Sequence, residues 1–415
     1  MLGLLDRFLD RLGLKGSLLV TYPNNETRRY GDGIGDTAHI EIKTWGALWR
    51  IVVTPDPGVP EAYMDGDLVF VEGDVITFLK IVYSGVTDAP GQDIHPVFSV
   101  DRLRYLLRRF HQFNPQTRSR ANVQHHYDLS RTLYDLFLDP DRQYSCAYYE
   151  HPDVSLEDAQ IAKKRHIAGK LLLEPGMQVL DIGSGWGGLG LTLAQDFGAQ
   201  VRGVTLSDEQ LRLSRRRAKE AGLADQAQFD LIDYREVDGQ FDRIVSVGMF
   251  EHVGVNHYGE YFGKARQLLK NDGVMLMHTI GRTGPPSVTA AFIRKYIFPG
   301  GYIPALSEVM RSVELSGLHV TDVEVLTDHY AETLKAWRER FMARRDEAVA
   351  LYDERFARMW EFYLAASEAA FRWQDLVVFQ VQLAKNKLSI PRTRDYMTDF
   401  DRRHAANQGG VRAAE

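Results

Sequence analysis

Residues 179–188, VLDIGSGWGG, contain the strongest local indication of the fold. An apolar run typical of a buried strand reaches Asp181 and passes into a turn with four glycines, and a helical pattern follows. Gly183, Gly185 and Gly187 let the backbone approach a ligand where a Cβ would collide. The first N–H groups of the following helix suit a carboxylate. Because ligands bind at the carboxyl ends of strands in open α/β sheets, we predict a binding site at this turn.

The chain around this turn alternates between short apolar strands and amphipathic helices. Strands are predicted at residues 179–182, 201–206, 244–247 and 274–278, with helices at 208–221 and 257–269. Strands that alternate with helices predict a mostly parallel sheet covered on both faces, an α/β Rossmann-like fold.

Two further segments indicate which ligand the sheet binds. The glycine turn lacks the Gly-x-Gly-x-x-Gly spacing of dinucleotide enzymes, and the second strand, ending in GVTLSDEQ (203–210), has no acid at its tip. Four residues there are expected to line the ribose and methionine side of a cofactor: Thr205, Leu206, Ser207 and Gln210. Asp233, beside Tyr234, is expected to accept from an adenine amino group. This layout resembles class I methyltransferases that bind S-adenosylmethionine, and another nucleotide-binding α/β sheet is the alternative.

Length and composition limit the remaining possibilities. The chain has 415 residues, a net charge of −6 and one cysteine, Cys146. Two domains are expected at this length. The charge does not suggest a nucleic-acid partner, and one cysteine excludes a disulfide framework or a Cys-rich zinc site, so we expect no metal. A single cysteine also fits a reducing cytoplasm.

Four regions are predicted along the chain. Residues 1–100 form a small α+β domain, with strands at 17–22, 39–42 and 51–54. Residues 101–120 form a basic helical linker, either a solvated connector or a contact with anionic headgroups. Residues 121–385 form the α/β domain. Residues 386–415 form a polar, loosely ordered tail. No stretch approaches the roughly 18 apolar residues of a membrane span, so a lipid substrate would be reached from one side.

Six motifs narrow the resemblance. In chain order they are YMDGD (63–67), HYDLSRTLYDLFLD (126–139), QYSCAYY (143–149), VSVGMFEHVG (245–254), HTIG (278–281) and KYIFPGGYIP (295–304). Together they resemble the cyclopropane-fatty-acyl-phospholipid synthase family, and the first resembles that family's N-terminal lipid-binding domain. The family usually has Cys where this chain has Ser184.

The resemblance implies a mechanism and a set of residues. An alkene attacks the sulfonium methyl group of S-adenosylmethionine, a carbocation forms, and bound bicarbonate removes a proton so that a ring closes. Five residues are expected to bind the bicarbonate: Cys146, Glu251, His278, Ile280 and Tyr330. All of them except Ile280 are also expected to be catalytic. The resemblance also places these residues at the cofactor site: Tyr144, Ser145, Asp181, Gly183, Gly185, Trp186 and Gly187.

The expected activity is therefore methylene transfer to the cis double bond of unsaturated acyl chains in membrane phospholipids. Three alternatives remain: methylation without ring closure, giving a methyl- or methylene-branched product; a small-molecule methyltransferase; and a non-catalytic lipid-binding protein. A homodimer in the cytoplasm, peripheral at the inner face of the membrane, is expected. Residues 293–304 mix basic and aromatic side chains, which suits either the membrane interface or a lid or dimer contact.

Overall fold

The computed structural model describes residues 2–87 and 131–412, which divide into two compact units. The first contains residues 2–87 together with Ser287–Pro299 and Ala331–Leu376. The second contains the other described residues. The predicted linker, residues 101–120, lies outside the described residues, and the predicted domain boundaries stay predictions.

The first unit has a four-stranded sheet in the order β2-β1-β3-β4. Its strands are β1 (Ser17–Thr21), β2 (Thr27–Tyr30), β3 (Thr37–Ile42) and β4 (Leu68–Glu72). Its first helices are α1 (Leu2–Arg11), α2 (Trp45–Val53), α3 (Pro55–Met64) and α4 (Val75–Thr87). Strands β1 and β3 are parallel, whereas the other two pairs are antiparallel. The mixture of helices and strands agrees with the predicted α+β class.

The strand predicted at residues 51–54 is wrong, because this stretch belongs to α2. The β-branched run of Ile51, Val52 and Val53 favours a strand, but that propensity is weak against context. Thr44 caps the helix by accepting from the N–H of Ala47, and Ala47, Leu48 and Ile51 bury one helical face.

The second unit is built on a seven-stranded sheet in the order β10-β11-β9-β8-β5-β6-β7. These strands are β5 (Gln178–Ile182), β6 (Gln200–Thr205), β7 (Ala227–Leu231), β8 (Phe241–Val247), β9 (Leu269–Arg282), β10 (His319–Leu326) and β11 (Leu376–Ala384). The five strands from β5 to β9 pair in parallel. The predicted α/β, Rossmann-like fold with a mostly parallel sheet is confirmed.

Helices lie between most of these strands. From residue 131 they are α5 (Arg131–Tyr134), α6 (Leu156–Lys170), α7 (Gly188–Phe197), α8 (Asp208–Glu220), α9 (Tyr258–Leu268), α10 (Leu306–Ser316), α11 (His329–Ala343), α12 (Arg345–Leu351), α13 (Glu354–Trp373) and α14 (Asp395–Arg412). Two apolar clusters pack around the sheet, one around Phe250 and Tyr261 and the other around Phe197 and Phe229. Strands of a sheet that is buried on both faces have nearly continuous hydrophobic sequences, and the strands predicted here have such sequences.

The first unit also contains chain from between β10 and β11. Helix α13 packs against α3 and α4 there, and the rings of Tyr63 and Phe362 lie 6.1 Å apart. Asp65, in the same YMDGD stretch, is paired with Arg50 at 2.8 Å and with Arg355 at 3.0 Å. Within this unit, the stretch that resembles a lipid-binding domain is therefore fixed in place by later helices.

The expectation of a loosely ordered tail is wrong for the part of α14 whose side chains are described. Met397 and Phe400 are buried one helical turn apart, and Phe400 lies so close to Gly169 of α6 that a Cβ there would be 3.0 Å from its ring. Two apolar residues in a polar sequence are a weak periodic signal, so packing rather than composition orders this helix.

Candidate active site

The glycine turn joins β5 to α7 and leaves space at one position. Gly185 has φ +54°, and a Cβ there would meet no atom of the described residues within 4 Å. Gly187, with φ +82°, is different, because its Cβ would be 2.8 Å from Ser214 and 2.9 Å from Phe229. Gly187 thus packs the turn onto the sheet, whereas Gly185 leaves its backbone open to a ligand. Gly183 also has a positive φ, +82°.

Asp181 lies in β5 just before this turn and carries a group suited to a cation. It is buried, and its Oδ2 has no hydrogen-bond partner among the described residues. Burial raises the pKa of Asp181 to about 7, although the Lys163 ammonium opposes this shift. An unpartnered buried carboxylate oxygen is costly for folding alone, and it suits the ammonium group of an amino-acid ligand.

The residues expected beside the ribose form a hydrogen-bonded group at the end of β6. Thr205 Oγ1 donates to Gln210 Oε1 at 2.8 Å, and Ser207 caps α8 by accepting from the N–H of Gln210 at 3.3 Å. Leu206 between them is half-buried. Much of their hydrogen-bonding capacity is thus used internally to shape the strand end.

Asp233 is held by its own neighbour. Arg235 donates to Asp233 Oδ1 at 2.8 Å and to Oδ2 at 2.6 Å, and its guanidinium lies over the ring of Tyr234. A carboxylate has about four lone-pair sites, so Asp233 keeps capacity to accept from an amino group.

Residues 143–146 form a loop that carries Tyr144 and Ser145, expected at the cofactor site, and Cys146, expected in the bicarbonate cage. The rings of Tyr144 and Trp186 both contact Tyr134, at 5.3 and 5.0 Å, so this loop lies beside the glycine turn. Ser145 and Cys146 are buried, and Cys146 Sγ donates to the carbonyl of Ala147 at 3.2 Å.

Helix α6 fixes this loop with polar side chains that the sequence did not single out. Gln160 donates to the carbonyls of Gln143 and Ser145, at 3.2 and 3.0 Å. Lys163 donates to Gln143 Oε1 at 2.6 Å and to Ser145 Oγ at 2.8 Å. Burial lowers the pKa of Lys163 to about 8, against the attraction of Asp139. A buried lysine is rare unless it is paired, and here it is a fixed donor beneath the loop.

Glu251 follows β8 in a short helical turn, Phe250–His252. Its Oε1 accepts from the N–H of Ile280 at 2.6 Å, whereas its buried Oε2 has no partner among the described residues. Burial raises the pKa of Glu251 to about 7. The Ile280 N–H, expected to bind an anion directly, here positions Glu251.

His278 lies near the carboxyl end of β9, beside Val247 of β8. The side-chain amide nitrogen of Gln380 on β11 lies 3.2 Å from His278 Nδ1. An amide nitrogen can only donate, so Nδ1 accepts, and the proton of the neutral ring is on Nε2. Burial lowers the pKa of His278 to about 3, and Lys163 contributes in the same direction. A neutral Nε2–H can donate to an anion.

Tyr330 is the second residue of α11 and is buried. The residue before it, His329, accepts at Nδ1 from the N–H of Tyr149 at 3.0 Å. This bond joins the start of α11 to the segment that follows Cys146. The structure thus brings Glu251 together with Ile280, and it connects the Cys146 and Tyr330 segments.

The basic and aromatic stretch at 293–304 is largely engaged within the protein. Glu61 accepts from Lys295 at 2.7 Å and from the Tyr296 hydroxyl at 2.9 Å, within the first unit. Ile297 and Tyr302 are buried. These contacts hold Lys295 and Tyr296 within the first unit, and the choice between a membrane contact and a lid or dimer contact stays a prediction.

The comparisons with known proteins agree with this geometry. Residues 114–381 match the family described as Mycolic acid cyclopropane synthetase. The chain belongs to this family. It is 40% identical over 350 residues to cyclopropane-fatty-acyl-phospholipid synthase of Escherichia coli K12, covering 84% of this chain and 88% of that one. It is 38% identical over 345 residues to tuberculostearic acid methyltransferase UfaA1 of Mycobacterium tuberculosis, covering 79% and 78%.

Among solved structures, mycolic acid cyclopropane synthase CmaA1, complexed with SAH and CTAB, matches with a TM-score of 0.61 and 36% identity. The match covers 66% of this chain and 99% of that one. As a member of this family, the protein is an S-adenosylmethionine-dependent methyltransferase that modifies lipid alkenes. The open backbone at Gly185 and the unpartnered oxygen of Asp181 fit the amino-acid end of that cofactor.

Among the described residues, no helix is long and apolar enough to cross a membrane.

Proposed function

We propose that this enzyme converts the cis double bond of unsaturated acyl chains in membrane phospholipids into a cyclopropane ring, with bound bicarbonate as the base. The observation that carries the proposal is Glu251, whose buried Oε2 lacks a partner among the described residues while its Oε1 is fixed by Ile280. A buried acceptor with a free oxygen suits the hydroxyl of bicarbonate.

The other cage residues have complementary chemistry. His278 presents a neutral Nε2–H, which can donate to a bicarbonate oxygen, and Tyr330 carries a hydroxyl that can do the same. S-adenosylmethionine supplies the methyl group and bicarbonate accepts the proton. The protein holds both ligands and excludes water through burial of Cys146, Glu251 and His278. Low water access limits side reactions of a cationic centre.

The test is the product formed from phospholipid vesicles that contain one cis-unsaturated chain. With the protein and S-adenosylmethionine, mass spectrometry should show a gain of one methylene per chain, and the product should resist double-bond cleavage. A product that carries a methyl or methylene branch would instead support the alternative without ring closure. No mass gain on phospholipid, with transfer to free small molecules, would overturn the proposal.

The membrane and the homodimer remain parts of this proposal. We propose that the protein works at the inner face of the membrane, where its substrate lies. Co-sedimentation with anionic vesicles tests membrane binding, and sedimentation velocity tests the dimer.

A further inference from the structure

His166 is a buried histidine on α6 whose two ring nitrogens both face carboxylates. Nδ1 lies 2.7 Å from Asp401 Oδ2, and Nε2 lies 2.8 Å from Glu324 Oε2. An ionised carboxylate only accepts, so both contacts are hydrogen bonds only when each nitrogen carries a proton. The geometry is therefore that of an imidazolium between two carboxylates. Burial alone lowers the pKa of His166, but the hydrogen bonds to Asp401 and Glu324 outweigh it and raise the pKa.

Other charged side chains lie near the contacts of His166 with Asp401 and Glu324. Lys170 of α6 also donates to Glu324, and Arg165 Nε lies 3.7 Å from Asp401 Oδ1. The remaining charged groups of the cluster are Glu150, paired with Arg165, and Asp322, which contacts Lys170 and Arg394. The contacts to Asp401 join α6 to α14, and those to Glu324 join α6 to β10.

His166 also stacks on Tyr148, which is two residues after Cys146. The ring of Tyr148 lies 4.2 Å from that of His166, with an interplanar angle of 14°. Tyr148 stacks with His329 as well, at 5.1 Å and 16°. Because Nδ1 of His329 accepts from the N–H of Tyr149, the neutral ring of His329 carries its proton on the other nitrogen. Burial lowers the pKa of His329, which favours this neutral form.

The three stacked rings connect two segments of the proposed anion cage. Tyr148 is two residues after Cys146, and His329 immediately precedes Tyr330. We propose that His166, clamped by Asp401 and Glu324, is a positioning residue that holds Cys146 and Tyr330 in place through Tyr148 and His329. This inference rests on the proposed function only in assuming that Cys146 and Tyr330 bind bicarbonate. The stacking of the three rings does not depend on that assumption.

The positions of Cys146 and Tyr330 should therefore depend on the charge of His166. If His166 loses a proton, one ring nitrogen becomes an acceptor facing a carboxylate, and that contact cannot persist as a hydrogen bond. Because the pKa of His166 is raised in the folded protein, its stabilising contribution is complete below the ordinary histidine pKa and is lost as pH rises through the folded value.

Cys146, the only cysteine in the chain, provides a probe that needs neither lipid nor bicarbonate. Its rate of modification by a small disulfide reagent, measured at one pH, reports how tightly the buried thiol is held. We compare Asp401→Asn with Asp399→Asn, which changes an exposed carboxyl of the same helix. Asp401→Asn should raise the rate about tenfold, the factor expected when one hydrogen bond to a charged group is lost. It should also lower the pKa of His166 observed by NMR.

His166→Phe provides a second, independent variant, since it keeps a ring against Tyr148 and removes both donors. It should raise the modification rate and the half-saturating bicarbonate concentration, and the Asp399→Asn control should change neither. Thermal melts confirm that each variant is folded. Equal modification rates for Asp401→Asn, His166→Phe and wild type would overturn the inference. If wild type makes no ring from phospholipid while these rates still change, the proposed function fails and the positioning of Cys146 stands.

Discussion

The main-chain N–H of Ile280 donates to Oε1 of Glu251 over 2.6 Å. This bond uses one oxygen of the carboxylate and fixes the direction of the other, Oε2, which has no partner among the described residues. The resemblance to known synthases implied that Ile280 contacts the bicarbonate. The structure adds a contact of Ile280 with Glu251, through which Ile280 would also position the carboxylate that faces an anion.

Glu251→Gln should lower the rate of methylene transfer by about tenfold to a hundredfold, because one hydrogen bond to a charged group is lost. Burial raises the pKa of Glu251 to about 7, and the ionised form is the acceptor. The wild-type rate should therefore rise as the pH increases through about 7. The rate of the variant should not show this rise. Total carbonate is adjusted at each pH to keep the bicarbonate ion constant. An unchanged pH profile in Glu251→Gln would argue against this role.

Asp181→Asn should stabilise the protein above pH 7 while weakening the binding of S-adenosylhomocysteine. Burial raises the folded-state pKa of Asp181 to about 7, so the charged form is penalised in the folded state at higher pH. The rise of the pKa from the ordinary 3.8 to about 7 corresponds to at most about 4 kcal/mol, and this value already includes the attraction of Lys163. The gain in melting temperature should be present at pH 8 and shrink towards pH 5. A variant that melts lower at pH 8 would contradict this account.

Lys163→Met should loosen the loop at residues 143–146, because Gln143 and Ser145 lose a charged donor. Each such bond is worth about 1.5–3 kcal/mol, so a clear loss of stability and at least a tenfold loss in S-adenosylhomocysteine affinity are expected. Chemical denaturation and calorimetry measure the two effects. Lys219→Met, at an exposed position of α8, is the control. If both variants behave alike, Lys163 does not hold the loop.

Gly185→Gln should abolish cofactor binding, because a side chain there meets no atom of the described residues but fills the ligand's space. The positive φ of +54° should cost about 1–2 kcal/mol of stability. Gly222→Gln is the matched control, since Gly222 also has a positive φ, +70°, and open surroundings. Calorimetry with S-adenosylhomocysteine should show micromolar binding, about −8 kcal/mol, for wild type and control. Retained binding in Gly185→Gln would contradict the placement of the cofactor at this turn.

The sequence predicted four of the seven strands of this sheet, because those four contain apolar runs in a pattern that alternates with helices. Strands β7, β10 and β11 were not predicted. Strands β5, β6, β8 and β9 lie where the alternation placed them. The sequence pattern predicted secondary structure less well where the intrinsic preference of the residues differs from what tertiary packing favours. A β-branched run became the end of α2, and a polar tail became α14 through Met397 and Phe400.

Four predicted site residues end or follow strands of the sheet: Thr205 ends β6, Asp233 follows β7, Glu251 follows β8, and His278 lies near the end of β9. Cys146 and Tyr330 lie instead in a loop and near the start of α11. The residues that support them could not be predicted, since they act across long sequence separations. Gln380 is 102 residues from His278, and the polar side chains of α6 carry no family motif. Ser184, where the family usually has Cys, is buried, and its Oγ has no hydrogen-bond partner among the described residues.

Whether bicarbonate is the base can be measured from the product formed on unsaturated phospholipid vesicles as the bicarbonate concentration is varied. Buffers are rigorously depleted of carbonate, and bicarbonate is then titrated back to wild type and to Glu251→Gln. We predict that ring formation by wild type slows on depletion and recovers with added bicarbonate, and that the variant needs more bicarbonate and recovers only in part. Full ring formation by wild type in depleted buffer, with Glu251→Gln indifferent to added bicarbonate, would contradict the account.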